Sequence, residues 1–282
     1  MVQGDQTVMN DSSENLEQPV PGTGQRLAVV GARDGVGKTT LAVNLAVAFA
    51  QSTDASVALV DCDGGDAALM LDLLPERGFS DLREFHEEDV DGEVLSHYAL
   101  THASGVTVYP GHAKVDYAES ASISARLVGA ALTVLAATHP WVVEDIPALH
   151  PGHELSRVRE FDTVLLVMTS GTLLEVRAAS ALLKALNDCV LDPTRLMVVC
   201  NCCEAHPLLR KGDVEQHLGQ VVTATLPYER KAALDAVNLG SPVVLSHPRT
   251  ALARGLRCLA RQLLEQKTDL PPSERIGSLG PR

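Results

Sequence analysis

The segment Gly31-Ala32-Arg33-Asp34-Gly35-Val36-Gly37-Lys38-Thr39-Thr40 lies directly between the apolar run Leu27-Ala28-Val29-Val30 and the helical pattern Leu41-Ala42-Val43-Asn44-Leu45-Ala46. A strand, a glycine loop and a helix thus follow one another without a spacer. Glycines let the backbone curl until its N–H groups face phosphate oxygens, the helix N-terminus adds positive potential, and Lys38 supplies a full charge. Thr39 is placed to reach a magnesium ion. The usual pattern G-x-x-x-x-G-K-[ST] has glycine at the position occupied here by Ala32, so the loop is a deviant form.

From residue 26 onward, short β-branched runs alternate with helical stretches, which predicts a doubly wound α/β fold: one mostly parallel sheet with helices on both faces. The expected strands are Leu27 to Val30, Val57 to Val60, Val106 to Tyr109, Trp141 to Glu144, Thr163 to Met168, Leu196 to Cys200 and Val221 to Leu226. The last structured piece is expected to be a helix from Thr250 to Gln266. Residues 1–25 read as a disordered acidic tail and 267–282 as a second disordered tail, leaving 26–266 as one domain. With 282 residues, 45% of them hydrophobic, the chain can build one large core.

The formal charge of -13, from 23 Lys+Arg against 36 Asp+Glu, argues against DNA as a partner of the whole surface. The longest apolar stretch, Leu127 to Ala137, is too short to span a bilayer and reads as a buried helix. No export signal opens the chain, so the expected location is the cytoplasm. Six cysteines lie mostly inside apolar strand or helix patterns, as reduced thiols acting as small hydrophobes do. The cluster Cys200-Asn201-Cys202-Cys203 with His206 follows a strand and is not read as a metal site.

The loop resembles the deviant Walker A loop of the MinD/ParA superfamily, usually K-G-G-x-G-K-[ST], with Arg33 at the signature lysine and Asp34 at the first glycine of the pair. The resemblance runs over roughly residues 26 to 265 and takes in four further segments. Asp61-Cys62-Asp63 resembles the D-x-D of switch I, and Asp145-Ile146-Pro147 the D-x-P of switch II. Met197 to Asn201 is similar to the strand whose terminal Asn reads adenine, and Leu226-Pro227-Tyr228 to the segment lining the base pocket. All fall at carboxyl ends of expected strands, where open α/β sheets bind ligands.

The resemblance implies a P-loop ATPase using ATP and Mg2+, dimerising across ATP. It implies phosphate contacts from Gly35, Val36, Gly37, Lys38, Thr39 and Thr40, and base contacts from Asn201 and Pro227. Magnesium would be organised by Thr39, Asp61 and Asp145; Asp63 would position water, and Arg33 would complete the partner's site. Within the superfamily, Gly31-Ala32-Arg33-Asp34-Gly35-Val36-Gly37, Asp61-Cys62-Asp63-Gly64-Gly65-Asp66 running into Leu71-Asp72-Leu73-Leu74-Pro75, Asp213 to Gly219 and Ala236-Val237-Asn238-Leu239-Gly240-Ser241-Pro242-Val243 are similar to the CpaE/TadZ branch. That branch implies assembly or polar placement of tight-adherence (Flp/Tad) pili, with pilus proteins as partners and at most indirect membrane association. A septum-placing or chromosome-partitioning ATPase of the same superfamily is the alternative. A basic membrane helix is the mark of the former, and Arg254, Arg257 and Arg261 do share one face of the last helix. The favoured reading of that face is a packed helix with a solvated edge. A noncatalytic scaffold that recruits partners is the reading from a different class, motivated by Arg33-Asp34.

Overall fold

The computed structural model describes residues 24–62, 66–112, 124–149, 155–189, 192–205 and 207–268. Both expected tails, Asp63 and His206 lie wholly or almost wholly outside them. The strands are β1 (Gln25–Gly31), β2 (Val57–Asp61), β3 (Leu100–Thr101), β4 (Val106–Tyr109), β5 (Trp141–Asp145), β6 (Thr163–Thr169), β7 (Leu196–Cys203) and β8 (Val222–Pro227). The helices are α1 (Lys38–Thr53), α2 (Asp66–Leu69), α3 (Gly92–Ser96), α4 (Ala125–Thr138), α5 (Leu173–Cys189), α6 (Lys211–Leu218), α7 (Arg230–Asn238), α8 (Val243–Ser246) and α9 (Ala251–Thr268).

The strands form one sheet in the order β3-β4-β2-β5-β1-β6-β7-β8, parallel throughout except for the antiparallel β3–β4 pair. All seven expected strands are present. Among the strands of the described residues only β3 was not foreseen, because two residues carry no periodicity. β7 also runs on to Cys203, past its expected end at Cys200.

Burial on both faces explains why the strands read as continuous apolar runs rather than alternating ones. Leu27 and Val29 of β1 face a core shared with α1, α8 and α9, whereas Ala28 and Val30 face one shared with α4, α5 and α6. The helix α1 is buried at every residue from Leu41 to Ala50, being enclosed by the sheet, α8 and α9. Phe49 stacks on Trp141 at 4.4 Å between ring centroids. Asn44, fully buried in this helix, donates to Thr40 O at 2.8 Å and accepts from Val244 N–H at 3.0 Å, so no amide atom is left without a partner.

The apolar stretch 127–137 forms the buried core of α4. Among the described residues no helix is long and apolar enough to cross a membrane. On α9, Leu252, Leu256, Leu259 and Leu263 enter the core. Its basic side is partly engaged in the fold: Arg254 donates to Arg249 O at 2.7 Å and Arg257 to Pro248 O at 2.8 Å and to Val244 O.

Candidate functional site

The central strand β1 ends at Gly31, flanked by β5 and β6. The chain then turns through the glycine loop into α1. A Cβ at Gly31 would lie 3.0 Å from Val36 Cγ2 and 3.2 Å from Lys38 Cδ, so the lysine stem passes where only glycine leaves room. Gly37 sits at φ 93°, in the left-handed region, and a Cβ there would fall 2.3 Å from Asn201 Nδ2. The first rung of α1 is Leu41 N–H to Gly37 O at 3.0 Å, so the amides of Lys38, Thr39 and Thr40 form the helix N-terminus.

Lys38 is 4% exposed, with its ammonium 3.7 Å from the carboxylate of Asp34, which is 78% exposed. A buried ammonium at a helix N-terminus concentrates positive potential at one point. The Asp34 carboxylate thus stands beside the Lys38 ammonium at the mouth of the loop. Val36 is buried, Thr39 and Thr40 are half-buried, and Arg33 and Gly35 are exposed.

On the other side of β1, Asp61 and Asp145 end β2 and β5 as register partners, and both are fully buried. Asp61 Oδ2 accepts from Ala67 N–H at 3.0 Å, which anchors the start of α2. The chain after each strand is tied to its neighbour. Cys62 N–H donates to Asp145 O at 3.0 Å, Ile146 N–H to Val29 O at 3.1 Å and Leu149 N–H to Gly31 O at 2.9 Å. The two acidic strand ends and the loop therefore form one continuous rim. The position of Asp63 relative to this rim falls outside the described residues.

Asn201 lies on β7, and its Nδ2 donates to Val36 O at 2.9 Å, reaching the loop across 165 residues of sequence. The amide expected to read adenine here fastens the glycine loop to the sheet. Pro227 ends β8 opposite Cys203, and Tyr228 N–H donates to Cys203 O at 2.9 Å.

One part of the rim had no signal in the sequence. Glu144, fully buried immediately before Asp145, accepts from Arg157 Nη2 at 2.8 Å and from the Cys62 thiol at 3.4 Å. Burial works to lower the Arg157 pKa, but the Glu144 carboxylate outweighs it and holds the guanidinium above its ordinary value. Burial, reinforced by the Glu144 charge, raises the Cys62 thiol well above its ordinary value and keeps it a neutral donor. A glutamate inside an apolar strand and an arginine in a 3-10 turn have no sequence pattern that pairs them.

The donor set fits a nucleotide with its metal. Two buried carboxylates and a threonine hydroxyl supply the hard oxygen ligands magnesium takes. The buried ammonium and the helix N-terminus suit a phosphate chain. Among the described residues no group of three or more His, Cys, Asp or Glu is placed to hold a metal ion, and the proposed oxygen set is two carboxylates with a hydroxyl.

The fold is shared with solved structures. A ParA family ATPase from Chlorobium tepidum superposes with a TM-score of 0.75 at 19% identity, covering 84% of this chain and 98% of that one. The septum site-determining protein MinD from Pyrococcus horikoshii, complexed with Mg-ADP, gives 0.71 at 17% identity, covering 86% and 97%. Cobyrinic acid a,c-diamide synthase from Mycobacterium smegmatis, with an ATP analogue and magnesium bound, gives 0.62 at 18% identity, covering 87% and 96%. Among curated proteins, comparison by sequence finds no match. The profile of the CobQ/CobB/MinD/ParA nucleotide binding domain matches residues 27–243, and with the loop, the acidic strand ends and the strand order in place, the chain belongs to that family.

Proposed function

We propose that this protein is a MinD/ParA-type switch ATPase that binds ATP with magnesium, hydrolyses it slowly and dimerises around it. The observation that carries the reading is the convergence of buried Lys38, at the start of α1, with buried Asp61 and Asp145 at adjacent strand ends. The carboxyl ends of parallel strands are where open α/β sheets bind ligands, and a lysine at a helix N-terminus beside them suits a phosphate chain.

In this reading the amides of Gly35 to Thr40 and the Lys38 ammonium bind the phosphates, and Thr39, Asp61 and Asp145 hold magnesium. The metal supplies charge neutralisation at the phosphates when bound. Asp63 orients the attacking water, Asn201 and Pro227 border the base, and Arg33, exposed on the loop, reaches the second copy's phosphates. Arginine keeps the charge of the family's signature lysine and adds a planar fork. The switch segments after Asp61 and Asp145 would then present a nucleotide-dependent surface to partners.

The biological setting we infer is the cytoplasm, with recruitment to a cell pole or envelope machine such as a Flp/Tad pilus. The segments similar to the CpaE/TadZ branch support it. Septum placement or partitioning is the second reading, supported by the likeness to MinD and ParA folds.

The test is ATP turnover with magnesium beside light scattering for mass, on wild type, Lys38→Ala and Asp63→Ala. Turnover lost in Lys38→Ala, an ATP-dependent doubling of mass, and an ATP-trapped dimer in Asp63→Ala are expected. No wild-type turnover and no nucleotide-dependent mass change would overturn the switch in favour of the scaffold.

A further inference from the structure

The strand that fastens the glycine loop ends in Cys200-Asn201-Cys202-Cys203, and its outer cysteines have C-x-x-C spacing. In a regular strand, residues three apart project to opposite faces. Here Cys202 adopts φ 53°, and the β7–β8 register breaks between Cys200 and Cys203. The strand end curls back as a result. The Cys203 thiol lies 3.2 Å from Cys200 O, to which it donates, and 3.9 Å from Asn201 O, so its sulfur is folded back over the Cys200 backbone.

Both thiols line a cavity of about 180 Å³ together with Ser170, Pro207 and Lys211. The Cys203 thiol, helped by the Ser170 hydroxyl and the Lys211 charge and opposed by burial and the Glu175 charge, brings the Cys200 pKa down to about 7. Cys200 and burial in turn push Cys203 up. Cys200, 4% exposed and lining the cavity, is favoured as the thiolate and Cys203 as the protonated partner, an asymmetry that suits thiol–disulfide exchange once a small disulfide enters the cavity.

We propose that Cys200 and Cys203 form a reversible dithiol–disulfide site that reacts with low-molecular-weight disulfides, and that closing the bridge loosens the glycine loop through Asn201. The Cys200 thiolate attacks one sulfur of the disulfide RSSR, forming a mixed disulfide and expelling RS−. Cys203 then gives up its proton and attacks the Cys200 sulfur, forming the internal bridge and expelling the second RS−. Two protein thiols are oxidised, one external disulfide is reduced, and the two thiol protons end on two RSH. Closing the sulfurs to bond length, about 2.05 Å, retorsions the two residues between them. One of these is Asn201, whose amide holds Val36 O at 2.9 Å and fills the space over Gly37.

The consequence for nucleotide rests on the site proposed above, so the test reads the loop both with and without nucleotide. Full-length protein is treated with 2-hydroxyethyl disulfide, blocked with iodoacetamide and mapped by mass spectrometry. A Cys200–Cys203 bridge reversed by dithiothreitol is expected. Losing one loop hydrogen bond should raise amide exchange over residues 31–40 and the Kd for a ribose-labelled fluorescent ATP by about five- to tenfold. Neither should change in Cys200→Ser, whereas Cys203→Ser should stop at a mixed disulfide on Cys200 without forming the bridge. A pair that stays reduced while exposed Cys258 is modified would overturn the inference, as would a bridge that leaves loop exchange unaltered. Reduced wild type that binds no labelled ATP would instead overturn the nucleotide reading, with the ligand-free exchange still judging the bridge.

Discussion

Replacing Arg157 by alanine should cost more stability than any surface substitution, because it strands a carboxylate inside the sheet. Glu144 is fully buried on β5, its partner's side chain is 24% exposed, and the pair stands at 2.8 Å. Among the described residues Glu144 Oε2 and Arg157 Nε have no hydrogen-bond partner. The pair is thus incompletely satisfied and is not by itself a strong stabiliser compared with apolar side chains of the same volume. Breaking it is a different matter. Removing one member of a buried pair costs about 3–5 kcal/mol, and water entering where Arg157 was partly exposed argues for the lower end, about 3 kcal/mol. At about 2–4 °C per kcal/mol for a chain of this size, Tm should fall by about 6–12 °C. Thermal unfolding followed by circular dichroism reads this directly. The double variant Glu144→Met/Arg157→Met, which removes both charges and keeps the volume, should recover at least half of the loss. A fall of less than about 2 °C in the single variant, or equal losses in both, would refute the buried-charge reasoning.

Two further outcomes follow from single contacts. In the proposed site the Asp34 carboxylate, 3.7 Å from the Lys38 ammonium, would compete with phosphate for it, so Asp34→Gly should tighten ATP binding. The pair is largely exposed on the Asp34 side, which limits the gain to about fivefold, and isothermal titration showing weaker binding would contradict it. His139 packs edge-on against Tyr109 at the end of α4, and burial lowers its pKa despite a hydrogen bond with Leu135 O. The folded state therefore binds fewer protons than the unfolded chain just below the ordinary value of 6.5, and stability is lost as pH falls through that window. His139→Gln should flatten this part of the urea-midpoint profile; an unchanged profile would assign the acid sensitivity elsewhere.

How far the sequence revealed the site depended on whether each contact was local. The loop and the helix after it were legible because the chemistry needs consecutive residues: glycine at φ 93° and lysine one position later cannot be separated. Asp61 and Asp145 were legible because each ends an apolar run, and parallel strands place such ends together. Their register pairing was not, since β2 and β5 are neighbours only through the crossover order of the sheet. Asn201 was singled out for the base, yet its bond to Val36 spans 165 residues and could not be read from either segment. Glu144 and Arg157 are the extreme case, as nothing in Trp141-Val142-Val143-Glu144-Asp145 distinguishes a buried partner from an edge charge. The C-x-x-C geometry likewise depends on Cys202 taking φ 53°, which a non-glycine residue rarely does.

The strengths of the rim's connections determine which of them can move when nucleotide binds. Asn201 to Val36, Leu149 to Gly31 and Cys62 to Asp145 are single neutral hydrogen bonds at 2.9, 2.9 and 3.0 Å, each worth about 1 kcal/mol. Nucleotide binding at micromolar affinity, about 8 kcal/mol, can rearrange all three. The Glu144–Arg157 pair, at about 3 kcal/mol or more to break, sits at the base of the same rim and should stay closed. Movement is then confined to the loop side of the strand ends, with β2 and β5 as the fixed frame. Hydrogen exchange on adding ATP and magnesium should accordingly change protection at residues 35–41 and 146–149 and leave the amides of 57–60 and 141–144 unaltered. Equal changes in the two sets would mean that the frame itself opens, and the ranking of connections by strength would be wrong.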